Sequence, residues 1–200
     1  MLTADIDNIR ATINGIFRNA SLARTRQYSG CEALELVEMD DKYQLGQVVS
    51  RQMILIVISG AELRVLFKIH FNHSESDQLR RVKFRTDQST DERVAVAKTL
   101  DYMKELTNQV CGRICRIFQL NDLALGMCIP LSMHGFYEIY ADYTPSDEIL
   151  KKFGEAWRIT GDFGSLVCTA YVEIMEPKAV TNLQHLDEEA SNDDGELEFL

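Results

Sequence analysis

The sequence predicts an α+β domain, an antiparallel sheet of about six strands packed by two main helices. Three observations carry that prediction. A Val- and Ile-rich run from Gln47 to Ile58 is followed by Ser59-Gly60 and a second run, Glu62 to Asn72. In the second run Leu63, Val65, Phe67, Ile69 and Phe71 alternate with Arg64, Lys68 and His70, the period of a strand, and Leu66 breaks the polar series, so partial cover is expected on that face too. Residues 92 to 119 place apolar side chains at helical spacing behind a capping Thr90 or Asp91. Finally, 200 residues of which 46% are hydrophobic suit one domain with a real core and exclude disorder over the whole chain.

The remaining elements follow in chain order. Ile6, Ile9, Ile13, Ile16 and Phe17 mark a first amphipathic helix over residues 5 to 20, capped by Thr3 or Asp5. A short strand is expected at Ala33 to Met39. Residues 73 to 91 are polar and mixed in charge, so a loop is expected there, with room for a short helix or strand at 79 to 85. After the long helix, 123 to 132 reads as a strand ending at Pro130, and Phe136 to Ala141 as another. Residues 142 to 154 form a connection, with a helical turn expected at Asp147 to Phe153. Glu155 to Thr160 and Leu166 to Met175 form a second hairpin across the turn GDFG. The domain is expected to span residues 1–176, with 177–200 an acidic, disordered tail. Leu197, Phe199 and Leu200 give that tail an apolar tip, readable as a docking peptide or as part of a solubilising tail.

The formal charge is −10, and most of it is the tail: Asp187, Glu188, Glu189, Asp193, Asp194, Glu196 and Glu198 fall there with no Lys or Arg. The nearly balanced body carries no basic footprint for nucleic acid. No apolar run reaches the ~18 residues of a membrane helix, and the first twenty residues lack the apolar stretch of a signal peptide. A cytoplasmic protein is expected. The five cysteines, Cys31, Cys111, Cys115, Cys128 and Cys168, form no CxxC pair and read as reduced thiols packed as small hydrophobes. His70 and His73 are expected on opposite faces of an extended segment, which argues against a metal pair, and no metal ligand set is expected on this chain.

The long helix carries the chemistry. On a helical wheel Leu100, Met103, Thr107, Val110, Ile114 and Ile117 form the packed arc, with Cys111 and Phe118 at its edge. Asp101, Glu105, Asn108 and Gly112 share a second arc, where spacings of three and four make them neighbours. A polar stripe is ordinarily a solvated helix face. Gly112 adds to it a residue that costs about 1 kcal/mol inside a helix, a reason to expect another backbone close by.

"ELTNQVCGR" at 105 to 113, followed by "LALGMCIPLS", resembles the CheX/CheC family of chemotaxis phosphatases. The carrying feature is a helical Glu-x-x-Asn with a glycine a turn later, then a strand bearing a proline and a closing hairpin. The resemblance spans about residues 5 to 176. It departs at 73 to 91, where the family has a helix and this chain reads as a loop. It also departs on the first helix, where CheC-like members have a second Glu-x-x-Asn and here Asn14 follows Ala11; one site is expected, as in CheX.

The resemblance implies a CheC-like fold and a phosphatase acting on the phospho-aspartate of a CheY-like response-regulator receiver domain. Asn108 would position the attacking water, Glu105 would pair with the receiver's lysine, and Asp101 and Gly112 would line the docking rim. No cofactor is then expected on this chain, Mg²⁺ being held by the receiver, and a homodimer is expected. Two other readings stand beside it: a CheX-like binding module that docks on a receiver or the flagellar switch without hydrolysis, and a plain α+β dimerisation domain. From the same pattern, Thr107 is expected in the core and Pro130 at a strand end or bulge.

Overall fold

The computed structural model describes residues 3–39, 52–84, 91–134, 152–181 and 183. Its elements in order are α1 (Thr3–Ser29), β1 (Glu35–Glu38), β2 (Gln52–Ser59), β3 (Leu63–Phe71), α2 (His73–Lys83), α3 (Glu92–Leu120), β4 (Gly126–Met127), β5 (Leu131–His134), β6 (Lys152–Gly161) and β7 (Gly164–Ile174). The strands form one antiparallel sheet in the order β1-β6-β7-β3-β2-β4, with β5 also pairing β2. The α+β fold expected from sequence is therefore present, with a third helix added.

Alternation places the core. Leu63, Val65, Phe67, Ile69 and Phe71 of β3 and Leu166, Cys168, Ala170, Val172 and Ile174 of β7 turn to one face of the sheet. On that face lie Ile9, Ile13, Ile16, Phe17 and Ala20 of α1 and the apolar arc of α3. Phe17 and Phe118 bring the two long helices together, ring centroids 6.2 Å apart. Trp157 of β6 is fully buried and donates its indole N–H to the Ser21 hydroxyl of α1 at 2.8 Å. Glu155, one pleat away, accepts from Arg10 at 2.7 Å and pairs with Arg18 at 3.6 Å, which fixes α1 along β6. Thr107 is buried and donates to the Met103 carbonyl, the core role expected of it.

Several local expectations need correction. α1 runs on to Ser29, nine residues past the expected end, with Thr25 and Ser29 donating to carbonyls one turn back. The stretch from residue 73 is not a loop but begins with α2. His73 consequently starts a helix instead of facing away from His70 along a strand. α2 has little apolar content to announce it, since its buried residues are Ser76, Leu79 and Arg80. It is held by polar contacts instead. Asp77 accepts from Arg80 at 2.7 Å, Arg81 at 2.6 Å and Thr99 of α3 at 3.1 Å. Burial pushes the Asp77 carboxyl up, yet those hydrogen bonds bring it below the ordinary carboxylate value. Lys152 and Phe153 belong to β6, so the expected helical turn does not include them.

The single strand expected at 123 to 132 is split into β4 and β5, with Pro130 in the gap. Pro130 lacks the N–H a continuous strand would need. Cys128 fills the break: its N–H donates to the Val57 carbonyl at 3.0 Å, and its sulfur accepts the Val57 N–H at 3.2 Å. After β7 the chain keeps packing beyond residue 176, with Val180 fully buried and Ala179 and Leu183 against the core. Residues 47–51, the strand expected at 136–141, 147–151 and the chain from 184 on lie outside the described residues.

Candidate functional site

α3 supplies a rigid rod. Asp91 caps it, its side chain accepting the Arg93 N–H at 2.9 Å. Its buried residues from Thr99 to Phe118 lock one face to the sheet and to α1. The row expected on the other face is present: Asp101 is exposed, and Glu105, Asn108 and Gly112 are half-buried in sequence along the helix. Among the described residues Asp101 pairs with Lys104 alone, at 3.6 Å, a solvent-accessible contact worth at most about 1 kcal/mol.

Glu105 is oriented by its own helix, accepting from the Gln109 amide at 2.7 Å. Asn108 makes no side-chain hydrogen bond among the described residues, so its carbonyl oxygen and its amide N–H groups are open to water. A Cβ built on Gly112 meets nothing within 4 Å outside its own helix backbone. The close approach that would explain a mid-helix glycine is therefore not made by any described part of this chain. The helix thus presents a fixed carboxylate, a free amide and a bare stretch of backbone in one line.

Three more groups cluster near this part of α3. Tyr28 closes α1, Lys83 closes α2, and Tyr102 lies one turn before Glu105 on α3. The Tyr28 and Tyr102 rings meet at a 32° tilt with centroids 5.0 Å apart, and the Lys83 ammonium lies 3.3 Å from the Tyr28 centroid. Phe84 meets Tyr102 edge-on at 6.3 Å. Burial raises the Tyr28 phenol and the charge of Glu105 raises it further, while burial lowers Lys83 against the pull of Glu105. Sequence reading missed this cluster. The spacing of four could have pointed to Gln109, which was not singled out; nothing local pointed to Tyr28 and Lys83, since one lies on the unexpected extension of α1 and the other on α2.

On the first helix Asn14 is buried in place of standing out from the surface. Cys111 and Cys168 are buried, and burial pushes their thiols up and that of Cys115 up to about 11, so none of these three is a ready nucleophile. Among the described residues no three His, Cys, Asp or Glu side chains gather as a metal site. None of the described helices is long and apolar enough to cross a membrane.

The structure shares the α+β fold of the CheX/CheC-like chemotaxis proteins. It superimposes on CheX of Borrelia burgdorferi, solved as a CheX–CheY–BeF3–Mg complex, with a TM-score of 0.63, 9% identity and coverage of 80% of this chain and 96% of that one. CheX of Vibrio vulnificus gives 0.57 at 16% identity, covering 80% and 99%. FliY of Thermotoga maritima gives 0.52 at 11% identity, covering 90% and 95%. No protein-family model and no curated protein matches the chain. The helix missing from the sequence reading, α2, removes one of the two departures from the family pattern.

Proposed function

We propose that this protein is a phosphatase of chemotaxis or other two-component signalling that removes the phosphoryl group from the aspartate of a CheY-like receiver domain. The observation that carries the reading is the free, half-exposed Asn108 amide one turn from a fixed Glu105, beside a glycine that no described part of the chain covers. An acyl phosphate is already activated, and the receiver supplies Mg²⁺ and a lysine around it. A helper then needs to add only position and electrostatics. Asn108 places a water for in-line attack: its carbonyl oxygen accepts from the water, and no ionisation is required. Glu105 pairs with the receiver's lysine and sets the register. Gly112 admits the receiver's backbone. The CheX–CheY complex that shares this fold supports a receiver as partner. A homodimer belongs to the same reading and is tested by sedimentation equilibrium.

The test is phosphate release from a panel of receivers of the same cell, charged with acetyl phosphate, with wild-type protein and with Asn108→Ala. Loss of one positioning group costs about 10²-fold or more in rate. Fast release by wild type and none above background by the variant supports the phosphatase. A variant as active as wild type, or no release from any receiver, sinks it. Receiver binding without release would leave the domain as a docking module.

A further inference from the structure

We propose, resting on the phosphatase reading above, that Gln109 is a positioning residue: it holds the Glu105 carboxylate to itself and so keeps the neighbouring Asn108 amide free for water. On α3 the amides of Asn108 and Gln109 stand three and four residues after Glu105, and both spacings bring a side chain back to its neighbour one turn earlier. At about 100° per residue, Gln109 lies about 40° to one side of Glu105 around the helix and Asn108 about 60° to the other. One carboxylate thus has an amide on each flank. The Gln109 Nε2 donates to Glu105 Oε1 at 2.7 Å, while the Asn108 side chain makes no hydrogen bond among the described residues.

The choice of donor matters because a carboxylate draws any N–H within reach. A hydrogen bond to a charged group contributes about 1.5–3 kcal/mol, against about 1 kcal/mol for a neutral pair. Glu105, Asn108 and Gln109 are all half-buried, which strengthens such a bond further. An Asn108 captured by Glu105 would have its planar amide turned by that bond, and its carbonyl oxygen would turn with it. The attacking water would then lose its acceptor. Gln109, longer by one methylene, reaches back over the turn and occupies the carboxylate instead. It uses one oxygen; among the described residues Glu105 Oε2 has no hydrogen bond or ion pair, which leaves it for the receiver's lysine. Gln109 itself reaches neither water nor phosphate. It acts by keeping two adjacent polar groups, Glu105 and Asn108, from binding each other.

Gln109→Met keeps the length and the helix propensity and removes the amide. With the receiver that wild type dephosphorylates, kcat should fall roughly fivefold to tenfold, the scale of one charge-assisted hydrogen bond changing hands. KM should change less than about twofold, since Glu105 keeps one oxygen for the receiver. In the Glu105→Ala background no carboxylate is left to capture Asn108, and the same substitution should leave kcat unchanged. A merely structural role would lower kcat in both backgrounds; that outcome, or an unaffected kcat in the first, overturns the proposal. A second readout needs no receiver. Solvent exchange of the Asn108 side-chain amide protons, followed by NMR in the free protein, should slow on Gln109→Met and not when Glu105→Ala is also present. An exchange rate indifferent to Gln109→Met overturns the capture whatever the kinetics give. A chain that turns over no receiver sinks the phosphatase reading and the kinetic half of this proposal together, while the exchange rate still decides which amide Glu105 takes.

Discussion

The Thr99 hydroxyl of α3 donates to Asp77 of α2 at 3.1 Å, and this bond ties a nearly all-polar helix to the helix that carries the site. The same carboxylate takes two N–H bonds from Arg80, whose side chain is 2% exposed. Asp77→Ala should lower stability by about 2 kcal/mol, since it removes the anion facing a buried guanidinium. Urea unfolding followed by Trp157, the chain's single and fully buried tryptophan, reads the change. A loss below about 0.5 kcal/mol, no more than an ordinary surface substitution, would mean that α2 is held by something else.

Gly112→Ala should do two opposite things. With no neighbour to meet the new methyl group, it should raise stability by roughly 0.5–1 kcal/mol, the helix-propensity difference. It should also weaken docking of the receiver. Stabilisation with unchanged KM would mean that the bare patch is not where the partner's backbone comes in.

Gly164 closes the β6–β7 turn at φ +111°, and a Cβ there would lie 2.6 Å from the Glu75 carboxyl carbon. Gly164→Ala should cost about 1–3 kcal/mol, part from backbone strain and part from the clash. Adding Glu75→Ala should recover only the clash. Full recovery in thermal melts of the double variant would show that the backbone conformation costs nothing.

His70 is 1% exposed on β3, its Nε2 3.1 Å from the Thr169 hydroxyl and its Nδ1 without a hydrogen-bond partner. Burial, then the charge of Lys68, brings its pKa down to about 3. The unfolded chain takes up that proton near pH 6.5, the folded one only near 3. Stability is therefore full above pH 6.5 and falls as pH drops toward 3, by up to about 1.4 kcal/mol per unit. Denaturation between pH 7 and pH 5 should show this slope in wild type and lose it in His70→Asn. Equal slopes would place the acid sensitivity elsewhere.

What was legible in the sequence was whatever rests on periodicity. The alternation of β3 and the apolar arc of α3 each bury the face they predict, because both pack on one large core. The Glu105–Asn108–Gly112 row was legible for the same reason: fixing the buried arc fixes the opposite one. α2 was not legible, because its hold comes from Asp77, Arg80 and Thr99 and from a single buried leucine, and polar contacts across helices leave no period. Pro130 was expected at a strand end or bulge, but nothing local reveals that Cys128 bridges the break to Val57. The cluster of Tyr28, Lys83 and Tyr102 was invisible for a further reason: its members come from three helices.

The strand order has a consequence for how the chain is made. β3 lies between β2 and β7, and Arg64 and Glu173, 109 residues apart in sequence, form an ion pair across the β3–β7 boundary. The middle of the sheet therefore waits for one of the last described strands to be synthesised. Until β7 has left the ribosome, β3 has one open edge and its row of large apolar side chains lacks a neighbour. Pairings this distant are slow to form and expose strand edges meanwhile. The domain then completes its core only once β7 has emerged, and the Val- and Ile-rich β2–β3 hairpin is the nascent segment a chaperone would have most reason to hold.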